Sequence, residues 1–286
     1  MPLSSSLPLL QIQTALVEAG LWAKEMARRS FAVEQKGPED FVTEIDRILD
    51  RRLAATFQEW FPEDGVITEE NAESIQNARK GFSRLWLIDP IDGTEDFINQ
   101  RPDYAIMAGL LQDDRPIAGW ILRPESGQLF YGGPDWGLFA APGLEPARPF
   151  MPTVTLGPSA DYCPVLLGDR DRRQYGTAIQ AAIPDIQFYT LGSFGLKVLE
   201  VIQGRAGLYL YLNGRVKLWD TVGPLALAQC AGLVCCDLEG NALQFSLDAL
   251  SPETLAHRQS IAIGWPHYIE ALLPRLQEAI ACETAG

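Results

Sequence analysis

The chain has 286 residues, of which 37 are acidic and 23 are Lys or Arg, so its formal net charge at pH 7 is −14. This acidic balance excludes a protein that binds a nucleic-acid polymer by charge, because such binding needs basic residues that neutralise phosphates. Hydrophobic residues make up 47% of the chain, which excludes a disordered protein. The chain has only two histidines, so an enzyme of this composition is expected to use carboxylates for catalysis.

The first part of the chain, residues 1–150, predicts two helices followed by strands. Apolar residues recur every three or four positions in two stretches, which is the pattern of amphipathic helices, and short alternating runs separated by turn residues predict strands. The predicted elements are helices at 9–29 and 41–61 and strands at 66–67, 85–88, 105–111, 117–122 and 128–132. A Gly- and Pro-rich stretch at 142–158 marks the expected domain boundary.

The second part, residues 151–286, alternates between predicted strands and helices. Strands are predicted at 165–167, 186–190, 206–212, 234–237 and 261–264, and helices at 172–182, 195–203, 220–231 and 268–281. Such alternation favours an α/β architecture in which helices and sheets form layers.

The five cysteines have neither the spacing of a zinc site nor that of a redox pair. Reduced thiols in a cytoplasmic protein are therefore expected. No run of about 18 apolar residues occurs, so no membrane span is predicted.

The densest chemical signal is the sequence Asp-Pro-Ile-Asp-Gly-Thr at 89–94. A predicted strand delivers two carboxylates, Asp89 and Asp92, into a turn that the intervening proline stiffens. The Gly-Thr pair begins a predicted helix whose free N–H groups can hold an anion. The segment therefore offers oxygen ligands for a divalent cation beside a phosphate-sized site, although Asp-Gly is also common in ordinary turns and helix caps.

Three further carboxylates lie at the ends of predicted elements. Glu69 follows the strand at 66–67, Asp220 begins the helix at 220–231, and Asp46 follows the sequence Phe-Val-Thr-Glu-Ile. Each is a weak signal alone, because acids are ordinary near helix N-termini. Their combination is more informative.

Together these segments resemble the inositol monophosphatase superfamily of magnesium-dependent, lithium-sensitive phosphatases. The motifs that carry the resemblance are the complete Asp-Pro-Ile-Asp-Gly-Thr from Asp89 to Thr94, the pair Trp219-Asp220, the pair Glu69-Glu70, and the element that runs from Lys36 through Asp40-Phe41-Val42-Thr43 to Asp46. Their order and spacing are similar to those of the family. The resemblance implies a sandwich with the layer order αβαβα.

The resemblance also implies a site for two to three Mg²⁺ ions. Glu69, Asp89 and the main-chain carbonyl of Ile91 are the implied ligands of one ion. Asp89, Asp92 and Asp220 are those of a second ion, so that Asp89 bridges the two. A third, weaker ion is implied at Glu69.

Substrate contacts are implied in the same way. The N–H groups of Gly93 and Thr94 are expected to bind the phosphate, and the Thr94 hydroxyl is expected to pair with Asp46 and orient water. Ser193 is expected to touch the leaving group. Lys217 is expected either to meet a second phosphate or to be an ordinary surface lysine. The implied catalytic residues are Asp46, Glu69 and Thr94.

The choice of substrate stays open. Glu95-Asp96 after the motif looks closer to the branch that hydrolyses 3'(2'),5'-bisphosphate nucleotides such as 3'-phosphoadenosine 5'-phosphate, whereas Gly207 and Leu212-Asn213 depart from the inositol-preferring pattern. Inositol monophosphate and sugar bisphosphates remain alternatives, as does a non-catalytic regulator that binds a metal or phosphorylated ligand. By the same resemblance, a homodimer is expected.

Overall fold

Helices and strands alternate along most of the chain. The computed structural model describes residues 8–38 and 40–284. The helices are α1 (Leu9–Met26), α2 (Glu44–Trp60), α3 (Thr94–Ile98), α4 (Asp169–Ala182), α5 (Phe194–Ile202), α6 (Leu218–Cys230) and α7 (Pro266–Thr284). The strands are β1 (Val33–Gly37), β2 (Asp40–Thr43), β3 (Gly65–Thr68), β4 (Arg84–Asp92), β5 (Ala105–Gln112), β6 (Arg115–Arg123), β7 (Gln128–Gly133), β8 (Gly137–Pro142), β9 (Arg148–Pro149), β10 (Pro164–Leu167), β11 (Gln187–Tyr189), β12 (Leu208–Tyr211), β13 (Val234–Cys236) and β14 (Ile261–Gly264).

The layers follow the order αβαβα, which confirms the predicted sandwich. Helices α1 and α2 cover the outer face of a seven-stranded sheet with the order β3-β4-β5-β6-β7-β8-β9. Helices α5 and α6 lie between this sheet and a five-stranded sheet with the order β11-β10-β12-β14-β13. Helices α4 and α7 form the last layer.

The seven-stranded sheet is buried on both faces because its strands alternate between two apolar cores. In β4, Trp86 and Ile88 face the core shared with α1 and α2, whereas Leu87 faces the core shared with α5 and α6. The Trp86 ring stacks on Phe61 with the ring centroids 4.6 Å apart. Strand β4 pairs in parallel with β3 and antiparallel with β5, so it lies inside the sheet, and its end beyond Ile88 pairs with β5 alone.

Helix α2 begins three residues later than the predicted start at 41. Residues 40–43 instead form β2, which pairs with β1 in a hairpin. The Thr43 side chain accepts hydrogen bonds from the N–H groups of Ile45 and Asp46, and Asp46 accepts one from the Thr43 N–H at 2.9 Å. This reciprocal capping box fixes the first turn of α2.

The predicted boundary at 142–158 begins within the sheet. Strand β9 still pairs with β8, and the chain leaves the seven-stranded sheet only after Pro149. In the second sheet, β10 pairs in parallel with β11 and β12, while β14 pairs antiparallel with β12 and β13.

Helix α6 lies directly on the seven-stranded sheet because both surfaces carry glycine at the contact. A Cβ atom on Gly119 would lie 2.1 Å from the carbonyl oxygen of Gly223, and one on Gly223 would lie 2.7 Å from that of Ala108. No side chain fits between the two backbones. The first turn of α6 is thereby held close to the end of β4.

The five cysteines are all free, as expected from their spacing. Within the described ranges, we find no helix that combines the length and the apolar character needed to cross a membrane.

Candidate active site

Three carboxylates from two separate elements converge at the end of β4. Asp89 and Asp92 belong to this strand, and Asp220 lies in the first turn of α6. One oxygen atom from each of the three lies within 4.8 Å of the other two. The cluster unites the strongest sequence motif with a residue from the second part of the chain.

A local irregularity in β4 directs the first two carboxylates. The regular pairing of β4 with β5 is interrupted between Asp89 and Asp92, as in a β-bulge. Within the bulge, Asp89 accepts a hydrogen bond from the N–H of Ile91 at 3.0 Å. Both carboxylates are buried, so their positions are set by protein contacts.

Asp92 is held by the N-terminus of α5. It accepts hydrogen bonds from the Ser193 hydroxyl and from the N–H groups of Phe194 at 3.0 Å and Gly195 at 2.9 Å. Ser193 also caps α5 by accepting a hydrogen bond from the Leu196 N–H at 3.0 Å. The Ser193 side chain is fully buried and its hydroxyl faces Asp92, and the expected contact between Ser193 and the leaving group stays a prediction.

Asp220 is oriented by its own helix. One of its carboxylate oxygens accepts a hydrogen bond from the N–H of Lys217 at 2.7 Å, the residue just before α6. Burial is the main cause that raises the pKa of Asp220 to about 7, and the charges of Glu69 and Asp92 add to it.

The electrostatics of the cluster fit a divalent cation. Burial, together with the charges of Glu69, Asp92 and Asp220, raises the pKa of Asp89 well above its ordinary value. Carboxylates that raise one another's pKa are relieved by a cation between them, and oxygen donors are the ligands that Mg²⁺ prefers. The donor set thus suits a hard divalent ion.

Glu69 and Glu70 follow β3 at the edge of this cluster. Lys36 lies between them, with its Nζ atom 2.8 Å from Glu70 and 3.5 Å from Glu69. The Nζ atom of Lys217 lies 4.0 Å from Glu69 on another side. Two ammonium groups therefore border the acidic turn, which leaves Glu69 less repelled by its neighbouring carboxylates than it would otherwise be.

The predicted pair of Asp46 and Thr94 is in contact. The Thr94 hydroxyl lies 3.2 Å from one oxygen of Asp46 and 3.1 Å from the carbonyl oxygen of Ile91. The other oxygen of Asp46 accepts hydrogen bonds from the main chain and hydroxyl of Thr43. Burial is the main cause that raises the pKa of Asp46 to about 6.

Gly93 provides the turn that brings Thr94 to this position. Its φ angle of +94° lies in the left-handed region that favours glycine. A Cβ atom here would also lie 3.0 Å from the main-chain nitrogen of Ser193. Glycine is therefore required at this point both by the backbone conformation and by the approach of α5.

A cavity of about 660 Å³ lies beside the cluster, and its lining includes the neighbouring Gly93 and Thr94 but not Asp89, Asp92 or Asp220. Of the sequence-predicted residues, Glu69, Gly93, Thr94 and Lys217 line it. Five further basic residues line it, which are Arg101, Arg170, Arg173, Lys197 and Arg215. Sequence reasoning missed Arg101 and Arg215. The other three carried a signal, since Arg170 and Arg173 belong to a basic stretch and Lys197 is the one lysine in the otherwise largely apolar α5.

Lys197 is buried in the cavity wall. Its Nζ atom donates a hydrogen bond to the carbonyl oxygen of Gly192 at 3.2 Å. Burial lowers its pKa, although the charges of Asp92 and Asp96 act in the opposite direction. The cavity is thus lined by charges of both signs, because Asp40, Glu95, Asp96, Asp103 and Asp169 line it as well.

Comparisons with known proteins agree with this geometry. Residues 6–281 match the model of the inositol monophosphatase family. The chain is 27% identical over 205 residues to a "fructose-1,6-bisphosphatase/inositol-1-monophosphatase" of Aquifex aeolicus, covering 70% of this chain and 73% of that protein. It is 26% identical over 214 residues to a "3'(2'),5'-bisphosphate nucleotidase CysQ" of Haemophilus influenzae, covering 74% and 78%. In fold it is similar to an IMPase of Thermotoga maritima, with a TM-score of 0.74 at 20% identity, covering 96% of this chain and 98% of that one.

Proposed function

Since the chain belongs to the inositol monophosphatase family and is a phosphatase, we propose that it is a Mg²⁺-dependent phosphomonoesterase that uses water as its nucleophile. The observation that carries the proposal is the convergence of the carboxylates of Asp89, Asp92 and Asp220 within 4.8 Å of one another. The proposal includes a cytoplasmic location, where the free cysteines stay reduced, and a homodimeric state.

The proposed ligands of two to three Mg²⁺ ions are the carboxylates of the site and one main-chain carbonyl, namely Glu69, Asp89, Ile91, Asp92 and Asp220. When bound, Mg²⁺ neutralises charge on the phosphate and lowers the pKa of water. The protein contributes the fixed positions of these oxygens. Asp92 in particular is held by three donors of α5 and cannot turn away.

Gly93 and Thr94 are proposed to bind the phosphate through their N–H groups, which lie at the wall of the cavity and at the start of a helix. The Thr94 hydroxyl donates to Asp46 and keeps lone pairs that accept a hydrogen bond from water. Asp46, with its pKa near 6, is suited to take up a proton at neutral pH. Together with Asp46 and Thr94, Glu69 is the third proposed catalytic residue.

The substrate proposed first is a 3'(2'),5'-bisphosphate nucleotide, with inositol monophosphate second and sugar bisphosphates third. Basic side chains lie among the charged residues of the cavity, and Lys197 and Lys217 are the proposed contacts of a second anionic group. The cavity volume of about 660 Å³ lies in the range of pockets that bury a whole small ligand. The name of the Haemophilus influenzae relative supports the first of these substrates, and that of the Aquifex aeolicus relative supports the other two.

Phosphate release tests the proposal. We expect Mg²⁺-dependent release, inhibited by lithium, with kcat/KM highest for 3'-phosphoadenosine 5'-phosphate among that compound, inositol monophosphate and fructose 1,6-bisphosphate. Asp89→Asn should lower kcat by more than about 100-fold, because losing a direct ligand should exceed the effect of losing an outer partner. Asp135→Asn, an exposed acid outside the cavity, is the matched control and should leave kcat unchanged.

Two results would contradict this proposal. Full activity of Asp89→Asn would refute the ligand assignment. A Mg²⁺-induced rise in melting temperature without release from any of the three substrates would favour the non-catalytic regulator.

A further inference from the structure

Asp50 is a buried carboxylate that belongs to none of the groups described above. It lies on α2, one turn after Asp46, and is 2% exposed. Both of its oxygens are used: one accepts a hydrogen bond from the Thr68 hydroxyl at 2.9 Å and the other from the Glu70 N–H at 3.0 Å. The carboxylate therefore bridges the two residues on either side of Glu69.

The backbone around Glu69 is held from three directions. The Glu69 N–H donates to the carbonyl oxygen of Ile88 at 3.2 Å, which continues the pairing of β3 with β4. The Thr68 N–H donates to the hydroxyl of Ser74 at 3.1 Å. The N–H that follows Glu69 is held by Asp50, so this carboxylate fixes the point where the chain turns away from the sheet.

Helix α2 thereby supports both sides of the candidate active site. Residues four apart in a helix lie on one face, and here Asp46 contacts Thr94 while Asp50 contacts the turn that carries Glu69. The capping box at Thr43 fixes the start of the same helix. One rigid element thus sets the spacing between the Thr94 hydroxyl and the acidic turn.

We propose that Asp50 is a positioning residue for the metal site, which acts through Thr68 and Glu70 to hold Glu69 in place. The inference rests on the proposed role of Glu69 as a Mg²⁺ ligand. Partners that orient a ligand without touching the ion typically change metal affinity by about 10- to 100-fold when they are replaced. Asp50 would be such a partner of Glu69, because it contacts Thr68 and Glu70 on either side of that residue.

The chain offers a matched control at the opposite end of β3. Asp64 is also buried, at 7% exposed, and accepts hydrogen bonds from the Arg84 Nε atom at 2.8 Å and the Trp86 Nε1 atom at 3.0 Å. It immediately precedes β3, whereas Asp50 holds the residues at its end. Replacing either removes a buried carboxylate beside the same strand, but only Asp50 contacts the turn of Glu69.

The test compares Asp50→Asn with Asp64→Asn in the full chain. Asparagine keeps the shape of the side chain but presents an NH₂ group to one of the two donors. We expect the Mg²⁺ dissociation constant, measured by calorimetry, to rise about 10-fold or more in Asp50→Asn and to stay at the wild-type value in Asp64→Asn. At saturating Mg²⁺, kcat of Asp50→Asn should return to within a few-fold of the wild type, and Asp50→Glu should restore part of the affinity.

Thr68→Val provides a second variant that removes only the hydroxyl from a strand position and should raise the dissociation constant by a smaller factor. Equal Mg²⁺ affinity in Asp50→Asn, Thr68→Val and the wild type would overturn the role of Asp50 alone. An equal loss of affinity in Asp50→Asn and Asp64→Asn would overturn it as well. Absence of Mg²⁺ binding to the wild type would instead overturn the proposed function together with this inference.

Discussion

At the scale of single residues, the site depends on side chains that never reach the cavity. Ser193 and Asp50 are both buried. Ser193 donates a hydrogen bond to Asp92, and Asp50 accepts one from the N–H of Glu70, next to Glu69. Such partners fix the direction of a ligand, which a flexible carboxylate on a strand end cannot do alone. The orientation of the carboxylates of the site therefore depends on buried side chains that do not line the cavity.

Ser193→Ala tests this view. The variant loses the cap of α5 and a donor to Asp92, so we expect the free energy of unfolding to fall by about 1–2 kcal/mol. The Mg²⁺ concentration for half-maximal activity should rise about tenfold, whereas the substrate KM at saturating Mg²⁺ should change little. Denaturant unfolding and Mg²⁺ titrations of activity measure both effects.

Ser126→Ala, in an exposed turn, serves as the control for Ser193→Ala and should change neither quantity. A raised substrate KM with unchanged Mg²⁺ dependence of activity in Ser193→Ala would contradict this view and support the substrate contact that the sequence predicts.

The sequence predicts which residues gather but not which way each one faces. The contact between Thr94 and Asp46 was predictable because the family motif carries both. The direction of the Ser193 hydroxyl was not, since a residue before a helix can cap it, contact a ligand or do both. Apart from Arg170 and Arg173, which share α4, the basic residues of the cavity come from separate elements, and no local pattern links them.

At the scale of elements, the contact between α6 and the seven-stranded sheet sets the position of Asp220. The contact is made by backbone, through Gly119 and Gly223, and it lies about one turn of helix from Asp220. Any side chain at this point would lift the helix. The carboxylate would then move away from Asp89 and Asp92.

Gly223→Ala is expected to destabilise the fold although alanine favours helix formation by about 1 kcal/mol. The added methyl group would meet the Ala108 carbonyl oxygen at 2.7 Å, an overlap that typically costs about 1–3 kcal/mol or more. We also expect weaker Mg²⁺ binding, because Asp220 moves with the helix. Thermal unfolding with and without Mg²⁺ measures both.

The control for this variant is Gly176→Ala on α4, where the nearest atom, at 3.2 Å, belongs to the flexible side chain of Arg172. Its melting temperature should stay the same or rise. Equal behaviour of the two variants would show that the close contact of α6 has no special role.

Elements with a strong periodic pattern were predicted well, and edge elements were not. Strands β5, β6 and β7 begin and end within two residues of the predicted positions, because buried strands alternate or run apolar. Strand β1 is almost fully exposed and carries Glu, Gln and Lys, so nothing in its sequence distinguishes it from a loop. Strand β9 is only two residues long, so its sequence does not distinguish it from a loop either.

At the scale of the whole molecule, part of the net charge of −14 comes from carboxylates that lie close together at the site. Burial and mutual repulsion raise the pKa of Asp46 to about 6 and those of Glu70 and Asp220 to about 7. The folded, metal-free protein therefore binds protons more tightly at these groups than the unfolded chain does. Their contribution to stability is present at low pH and is lost as the pH rises through the folded pKa values.

We therefore expect the metal-free protein to lose stability between about pH 6.5 and 8, with a fall in melting temperature of at least about 3 °C. The window starts at pH 6.5 because burial lowers the pKa of His257 to about 4, which acts in the opposite direction below that pH. Mg²⁺ should remove most of this dependence, because it compensates the same charges. Melting curves in EDTA and in Mg²⁺ measure the effect.

Asp220→Asn should flatten the dependence in EDTA, since it removes one of the groups that titrate in this range. A metal-free protein that is equally stable at pH 6.5 and pH 8 would contradict the assignment.

The docking of α6 on the sheet also has a kinetic consequence. Asp220 is far from Asp89 and Asp92 along the chain, so the three carboxylates meet only after this long-range contact has formed. We expect this contact to form late in folding, so that a cation that needs all three gains its ligands after the folding barrier has been crossed. Its binding energy therefore slows unfolding and leaves the rate of folding almost unchanged, so the ion prolongs the lifetime of the native state without guiding the chain towards it.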